Sequence, residues 1–262
     1  PTLKTMHNDY KNRWFTWSYA IVKRWLARNL YKITFHTISD SVYDNELHFY
    51  KNPSFKINNW YDDFKFYLSS NNEREKTIKK LRLNKTTFKI ISVGGCSTIK
   101  NHHSIIKAIA ELPNNFAVEY LHLGKGMTEN EEKQLAYKLG VDKKICFLEN
   151  KSNVRDYLIA SDVFVMPSIY EGLGNACLEA MACGLPSILY NSPGLRDLIK
   201  NDDNGFLIDK SYKKITEKII EYYKQPNLME EKGKASARFV KDNFSLEKNA
   251  KDIINLYNTL TL

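Results

Sequence analysis

"PSIYEGLGNACLEAMACGLP", Pro167 to Pro186, sets two glycines and an asparagine between Glu171 and Glu179, then runs into small apolar residues. The stretch just ahead, "DVFVMP" (162–167), has the length and β-branched content of a buried strand, and "NACLEAMACG" (175–184) has helical spacing with a glycine stop. "SIYEGLGN" is then the loop at a strand's carboxyl end, with Gly174 or Asn175 capping the helix that follows. A helix start presents free N–H groups and the positive end of the macrodipole, and glycines let an anion approach the backbone closely. Gly172, Leu173, Gly174 and Asn175 are therefore candidates to cradle a diphosphate. Glu179 lies one turn inside the helix, where side chains lean back toward the helix start. A carboxylate is a pure acceptor with two oxygens, suited to two neighbouring hydroxyls such as a ribose diol. Glu171, in the turn itself, faces whatever polyol lies beyond the phosphates. A plainer reading makes this a packed helix beside a solvated loop glutamate, but it leaves Glu179 among Leu178, Ala180, Met181 and Ala182, and charged residues are seldom buried unpaired.

Working outward, short β-rich runs alternate with helical stretches from Phe88 on. Strands are expected at 88–93, 117–123, 144–148, 162–167, 185–190 and 206–209, and helices at 101–112, 129–140, 152–160, 175–184 and 194–201. Strand–helix–strand repetition gives right-handed crossovers and a parallel sheet covered on both faces, which binds ligands at the carboxyl ends of its strands. Before this block, 69–85 is polar and charged and reads as a linker with at most a surface helix. Residues 1–68 form a separate βαβ unit with few strands, too small for a complete domain, which predicts a fragment of a larger lobe. Amphipathic helices are expected at 215–224, 228–243 and 246–260.

Of 262 residues, 43% are hydrophobic, enough for a sizeable core. No apolar run approaches the roughly 18 residues of a membrane span, and no signal-peptide pattern opens the sequence. Cys96, Cys146, Cys177 and Cys183 stand singly with no C-x-x-C pair, which predicts reduced core residues in the cytoplasm and no zinc site. A net charge of +9 calls for an anionic partner: nucleic acid, an acidic membrane surface or a phosphorylated small molecule. No nucleic-acid recognition motif is present, and lysine is spread along the chain, so nucleic acid is not expected. On a helical wheel for residues 11–32, Trp14, Phe15, Trp17, Tyr19, Ile21, Val22, Trp25 and Leu26 cover more than half the circumference, with Arg13, Lys23, Arg24 and Arg28 near its edges. Part of that arc faces the lobe's own sheet; the rest suits either an anionic bilayer or further strands laid over it.

Together these segments resemble a GT-B glycosyltransferase of the large retaining family 4. The pattern E-x7-E is carried by Glu171 and Glu179, and "ISVGGCSTIKNHHSIIKAIAEL", "LHLGKG", "SDVFVMPSIYEGLGNACLEAMACGLPSI" and "NDDNGFLI" extend the match over about Phe88 to Leu262. The resemblance implies a Rossmann-like parallel-sheet donor domain at 86–243, a linker at 69–85, a partial N-terminal α/β acceptor lobe at 1–68, and a last helix within 244–262 that packs back on the first lobe. It implies a hexosyl transfer from a UDP- or GDP-type sugar to a lipid-linked or polysaccharide acceptor in cell-envelope glycan synthesis, in the cytoplasm or on the inner membrane face. No cofactor is expected. Because no D-x-D occurs, neither is a catalytic metal. Lys100 and the N–H groups of the Gly94–Gly95 and Gly172–Asn175 turns would hold the leaving diphosphate, Glu171 the donor sugar, and Glu179 the ribose. His7, which ends "PTLKTMH", is placed by the resemblance at the transfer site, with a merely structural histidine as the alternative. Gly124 and Gly126 in "HLGKG" would lie near the nucleotide and the backbone of Glu149 against the base, unless both strands end in ordinary turns. Gly95 stands where the family often has an arginine, so one diphosphate cation is missing or supplied from elsewhere. The alternative to an enzyme is a non-catalytic sugar-nucleotide-binding module.

Overall fold

Runs such as "TLKTM" and "ITFHT", extended and rich in β-branched residues, open the chain as strands of a small parallel sheet. The computed structural model describes residues 2–7 and 14–261, with the side chains of 14–16 excepted. In the front unit β1 (Thr2–Met6) pairs along its whole length with β2 (Ile33–Thr37), joined by α1 (Trp14–Asn29), and β2 pairs in turn with the short β3 (Phe55–Lys56). Ser39 caps α2 (Asp40–Asp44), its hydroxyl accepting the Val42 N–H at 3.2 Å, and the helix then widens into a one-turn π-helix, Asn45–Phe49.

That wider turn carries Glu46 into the interior, where both its oxygens accept from Arg24 of α1 at 2.7 and 2.8 Å and one also accepts from Asn52 at 2.8 Å. The Arg24 guanidinium lies 3.7 Å from the centre of the Tyr50 ring. The helical wheel had set Arg24 at a solvent margin; a buried carboxylate draws it inward instead. Trp17 likewise turns to the lobe, its indole donating to the Phe49 carbonyl at 3.0 Å. What α1 and its end leave exposed is Tyr19, Val22, Lys23, Trp25, Leu30 and Tyr31. Arg13 lies outside the described residues, as do the side chains of Trp14 and Phe15.

Within the polar stretch 69–85 a helix does form, α3 (Asn71–Lys80), capped by the Ser70 hydroxyl on the Glu73 N–H. Arg74 binds the Ser161 carbonyl and the Asp162 carboxylate, and Arg155 binds Glu73. These pairs fix α3 against the larger sheet.

The larger sheet has six parallel strands, β4 (Phe88–Val93), β5 (Val118–Leu123), β6 (Ile145–Phe147), β7 (Val163–Met166), β8 (Ser187–Tyr190) and β9 (Gly205–Ile208), in the order β6-β5-β4-β7-β8-β9. Their apolar runs are continuous because both faces are covered. Ile91, Leu121, Phe164 and Leu189 point to one face, where α6 (Val154–Ala160), α7 (Asn175–Ala182) and α9 (Pro226–Phe244) lie. Ile90, Tyr120, Val163, Val165 and Ile188 point to the other, under α4 (His103–Ala110), α5 (Glu129–Lys138) and α8 (Tyr212–Lys224). Each fully buried isoleucine or leucine stabilises by about 1.5–3 kcal/mol. Cys96, Cys177 and Cys183 are buried, Cys146 is half-buried, and all four are free thiols; burial pushes the Cys177 and Cys183 thiols up to about 12.

One segment departs from its expected form. "GLRDLIKN" (194–201) is a series of turns, although Leu195, Leu198 and Ile199 are buried as a helix would bury them. Asn204 breaks the ladder: its amide donates to the Leu198 carbonyl at 2.8 Å and its oxygen accepts the Lys200 N–H at 3.0 Å, so a side chain satisfies the backbone in the helix's place. The last helix, α10 (Leu246–Thr261), follows α9, whose final carbonyl, at Phe244, accepts the Tyr61 N–H from the front unit at 3.3 Å.

Glu46 is fully buried and Arg24 half-buried, whereas the Lys251–Glu247 pair on α10 is open to solvent. Arg24→Ala, which strands a buried charge, is expected to lower stability by about 3–5 kcal/mol, and Lys251→Ala by less than about 0.5 kcal/mol. Urea unfolding curves check this; equal shifts would contradict the buried pair.

Candidate functional site

Parallel strands that all run one way deliver their loops to one edge, and the predicted residues gather there. Behind β7 the chain turns at Pro167 through Ser168 and Ile169, whose N–H donates to the Ile99 carbonyl at 2.8 Å, while the Asn101 amide donates to the Pro167 carbonyl at 3.2 Å. The loop after β4 is thereby laced to the loop after β7, and Lys100 of the first meets Glu171 of the second. Lys100 Nζ donates to Glu171 Oε1 at 2.7 Å, with both side chains partly open to solvent. The backbone of Glu171 is fixed as well, its N–H donating to the Pro193 carbonyl at 2.9 Å.

From this pair the contacts run both ways along the edge. A Cβ built on Gly172 would stand 1.9 Å from the His7 carbonyl oxygen, so the end of β1 comes against the glycine turn at a distance only glycine permits. The Ser39 hydroxyl donates to the Gly172 carbonyl at 2.7 Å, a second tie from the front unit. In the other direction the Lys100 stem lies over Gly94. The turns after β4 and β5 touch backbone to backbone: a Cβ on Gly124, whose φ is +149°, would fall 1.8 Å from the Gly94 carbonyl oxygen. Gly95 packs beside Lys125, and Gly126 lies against Cys96 in the same way. The Gly124 N–H donates to the Glu149 carbonyl at 3.0 Å, while the Glu149 side chain points outward to Lys125. Val93, Gly94, Gly95, Gly124 and Glu149 line a cleft of about 270 Å³.

Gly174, at φ +78°, caps α7, and Asn175 is its first residue. The first N–H groups of a helix have no intrahelical acceptor, and α7 begins four residues after Glu171. Leu173 between the glycines is buried in the core and anchors the turn rather than facing a ligand. Glu179, one turn along α7, is half-buried, and burial raises its carboxyl above the ordinary range, with Lys65 lowering and Asp62 raising it in turn. Its charged neighbours thus belong to the segment leading out of the front unit, not to the Lys100–Glu171 pair. His7 is exposed at the end of β1. Burial, and then the neighbouring His7, lower His36, which shares a 2.6 Å hydrogen bond with Thr5.

Several participants carry no local signal in the sequence. Asn59 donates to the Asn175 side-chain oxygen at 3.1 Å, and Asp197 accepts from both the N–H and the hydroxyl of Ser41 at 2.9 Å. Both ties join the front unit to the loops of the larger sheet across more than a hundred residues of chain. Lys210, just past β9, donates to the Ile169 carbonyl at 3.2 Å and brings a second ammonium beside the loop that carries Glu171.

Comparison with known proteins places the fold and the family. Over 99% of this chain and 72% of the other, the fold superposes with a TM-score of 0.89 and 18% identity on the crystal structure of Anabaena Alr3699/HepE in complex with UDP. The capsular polysaccharide biosynthesis glycosyltransferase CapM of Staphylococcus aureus is 30% identical over 198 residues, 74% of this chain and 51% of its own. An Escherichia coli enzyme named UDP-Gal:alpha-D-GlcNAc-diphosphoundecaprenol alpha-1,3-galactosyltransferase is 33% identical over 135 residues, 50% of this chain and 35% of its own. The chain spans between 31% and 51% of the length of such curated relatives. The two parallel α/β units are those of the GT-B fold. Residues 73–239 match the family described as glycosyl transferases group 1, and the chain belongs to it.

Proposed function

We propose that the protein is a retaining glycosyltransferase that moves a sugar from a nucleoside diphosphate sugar to a glycan or lipid-linked acceptor of the cell envelope. The observation that carries this reading is the Lys100–Glu171 pair at the mouth of the α7 N-terminus. Breaking an anomeric bond to a diphosphate leaves charge on phosphate oxygens, and the group that stabilises that charge sets the barrier. Lys100 and the N–H groups of Gly94–Gly95 and Gly172–Asn175 take this role. Without donor, Lys100 and Glu171 neutralise each other; with donor, the ammonium turns to the diphosphate and the carboxylate is released to the sugar hydroxyls. Glu179 accepts from the ribose diol, Gly124 and the Glu149 backbone border the base, and His7 faces the transferred sugar. Lys210 supplies the second cation that Gly95, standing in place of an arginine, does not. The chain has no D-x-D pair to hold a metal on the diphosphate, so transfer is metal-independent, and no cofactor takes part. The names of the relatives CapM and the diphosphoundecaprenol galactosyltransferase, and the UDP bound in HepE, support the acceptor and donor classes.

Among the described residues, no helix is long and apolar enough to cross a membrane. The exposed Tyr19, Val22, Lys23, Trp25, Leu30 and Tyr31 combine aromatic surface with cationic charge and suit the interface of an anionic bilayer, where a lipid-linked acceptor lies.

Lys100→Ala and Glu171→Ala are each expected to lower kcat/KM about 10²–10³-fold with an unchanged circular dichroism spectrum; wild-type rates would contradict the assignment. Because the Glu179 carboxyl is raised, it takes up a proton while ordinary carboxylates are still ionised, and it then ceases to accept both diol hydroxyls. Donor affinity measured by calorimetry should therefore fall as pH is lowered toward that raised value, and Glu179→Gln should flatten that limb; parallel profiles would remove Glu179 from the ribose. Sedimentation with anionic vesicles at low salt should carry down the wild type and less of a Tyr19→Ala/Trp25→Ala variant; no sedimentation of wild type would exclude the membrane surface.

A further inference from the structure

Behind the loop that carries Lys100 lies a second constellation. Cys96, His102, His122 and Glu132 come from four elements, the turn after β4, the start of α4, β5 and α5, and their ligand-type atoms all lie within 4.8 Å of one another. None is more than 2% exposed. We propose that these four side chains bind a structural zinc ion that clamps the loop 96–102 to β5 and α5.

Two of the distances are those of a four-coordinate site. With Zn–N and Zn–O bonds of about 2.0–2.1 Å and Zn–S of about 2.3 Å, a tetrahedron has N···O edges of about 3.3 Å and S···N edges of about 3.6 Å. Cys96 Sγ lies 3.6 Å from His122 Nε2, and His102 Nδ1 lies 3.5 Å from Glu132 Oε1. A third edge, His122 Nε2 to Glu132 Oε2, is 2.9 Å and closes as a hydrogen bond. That bond alone does not satisfy the group: His102 Nδ1, which faces Glu132, is buried without a hydrogen-bond partner among the described residues. A cation in the cluster takes its lone pair. Charge closes too, since a thiolate and a carboxylate neutralise a divalent ion beside two neutral imidazoles. A donor set of one sulfur, two nitrogens and one oxygen favours zinc over the harder magnesium or calcium. The Thr128 hydroxyl donates to Glu132 Oε1 at 2.7 Å and orients the carboxylate, as an outer-shell partner does. The sequence discounts zinc because it offers no paired cysteines, but here the topology assembles the ligands. The ion would lie inside the fold, so it is compatible with a transfer step that uses no metal.

The full 262-residue chain, expressed with zinc in the medium, is expected to purify with about one zinc per molecule by elemental analysis. Cobalt exchanged into it should give the intense visible absorption of four-coordinate cobalt with a thiolate charge-transfer band. Cys96→Ser and Glu132→Gln should each lower zinc affinity more than about tenfold, while Cys183→Ser, another buried cysteine, keeps it. Chelation should lower the melting midpoint by more than about 5 °C. Less than about a tenth of an equivalent of zinc together with no charge-transfer band would overturn the proposal, as would full zinc content in both ligand variants. If those variants do not fold, the cobalt spectrum of the wild type decides.

Discussion

Everything at the site depends on two charged side chains held face to face by loops that cannot move independently. Lys100 ends one strand's loop and Glu171 its neighbour's, and between them run the Ile169–Ile99 and Asn101–Pro167 hydrogen bonds that set the separation of the two loops. A partly exposed ion pair at 2.7 Å contributes little to stability, on the order of 0–1 kcal/mol. Its worth is positional. The pair keeps an ammonium and a carboxylate poised at the start of α7, where the helix already offers its first N–H groups to an anion.

The rest of the edge is built by close backbone approach. Gly172 admits the carbonyl of His7, and Gly124 admits that of Gly94, so four strand ends meet in two pairs, each nearer than side chains would allow. Front and rear units are then tied by Ser39 to Gly172, Ser41 to Asp197, and Asn59 to Asn175. Stability comes from elsewhere, from isoleucine, valine and phenylalanine alternating between the two covered faces of the six-stranded sheet. A packed sheet and the ligand-facing side chains at its edge are thus separate parts of one molecule, which is how α/β folds place chemistry on a stable frame.

The legible features were those with local causes. The strand positions from Phe88 on follow from apolar runs, and the α7 start from Gly174 and the helical spacing behind it; the assignment of Lys100 to the same site as Glu171 follows only from the family likeness of "IKNHH" and "YEGLGN", and their ion pair is not legible at all. What the sequence did not carry was tertiary. Arg24 looks like a surface cation until Glu46, 22 residues on, is seen to be buried beneath it. "LRDLIKN" has helical spacing, and only the Asn204 amide, brought back by β9, turns it into loop. Asn59, Asp197 and Lys210 act across contacts of 41 residues or more, beyond any spacing rule. Cys96 and His122, 26 residues apart, meet because β4 and β5 are adjacent.

A crystal structure with a bound nucleoside diphosphate sugar tests the central claim most directly. It should show the Lys100 ammonium on a diphosphate oxygen, the N–H groups at the start of α7 on the same phosphates, and Glu171 on the sugar's hydroxyls. A complex in which Lys100 and Glu171 remain paired as they are without ligand, with the diphosphate bound elsewhere, would contradict it.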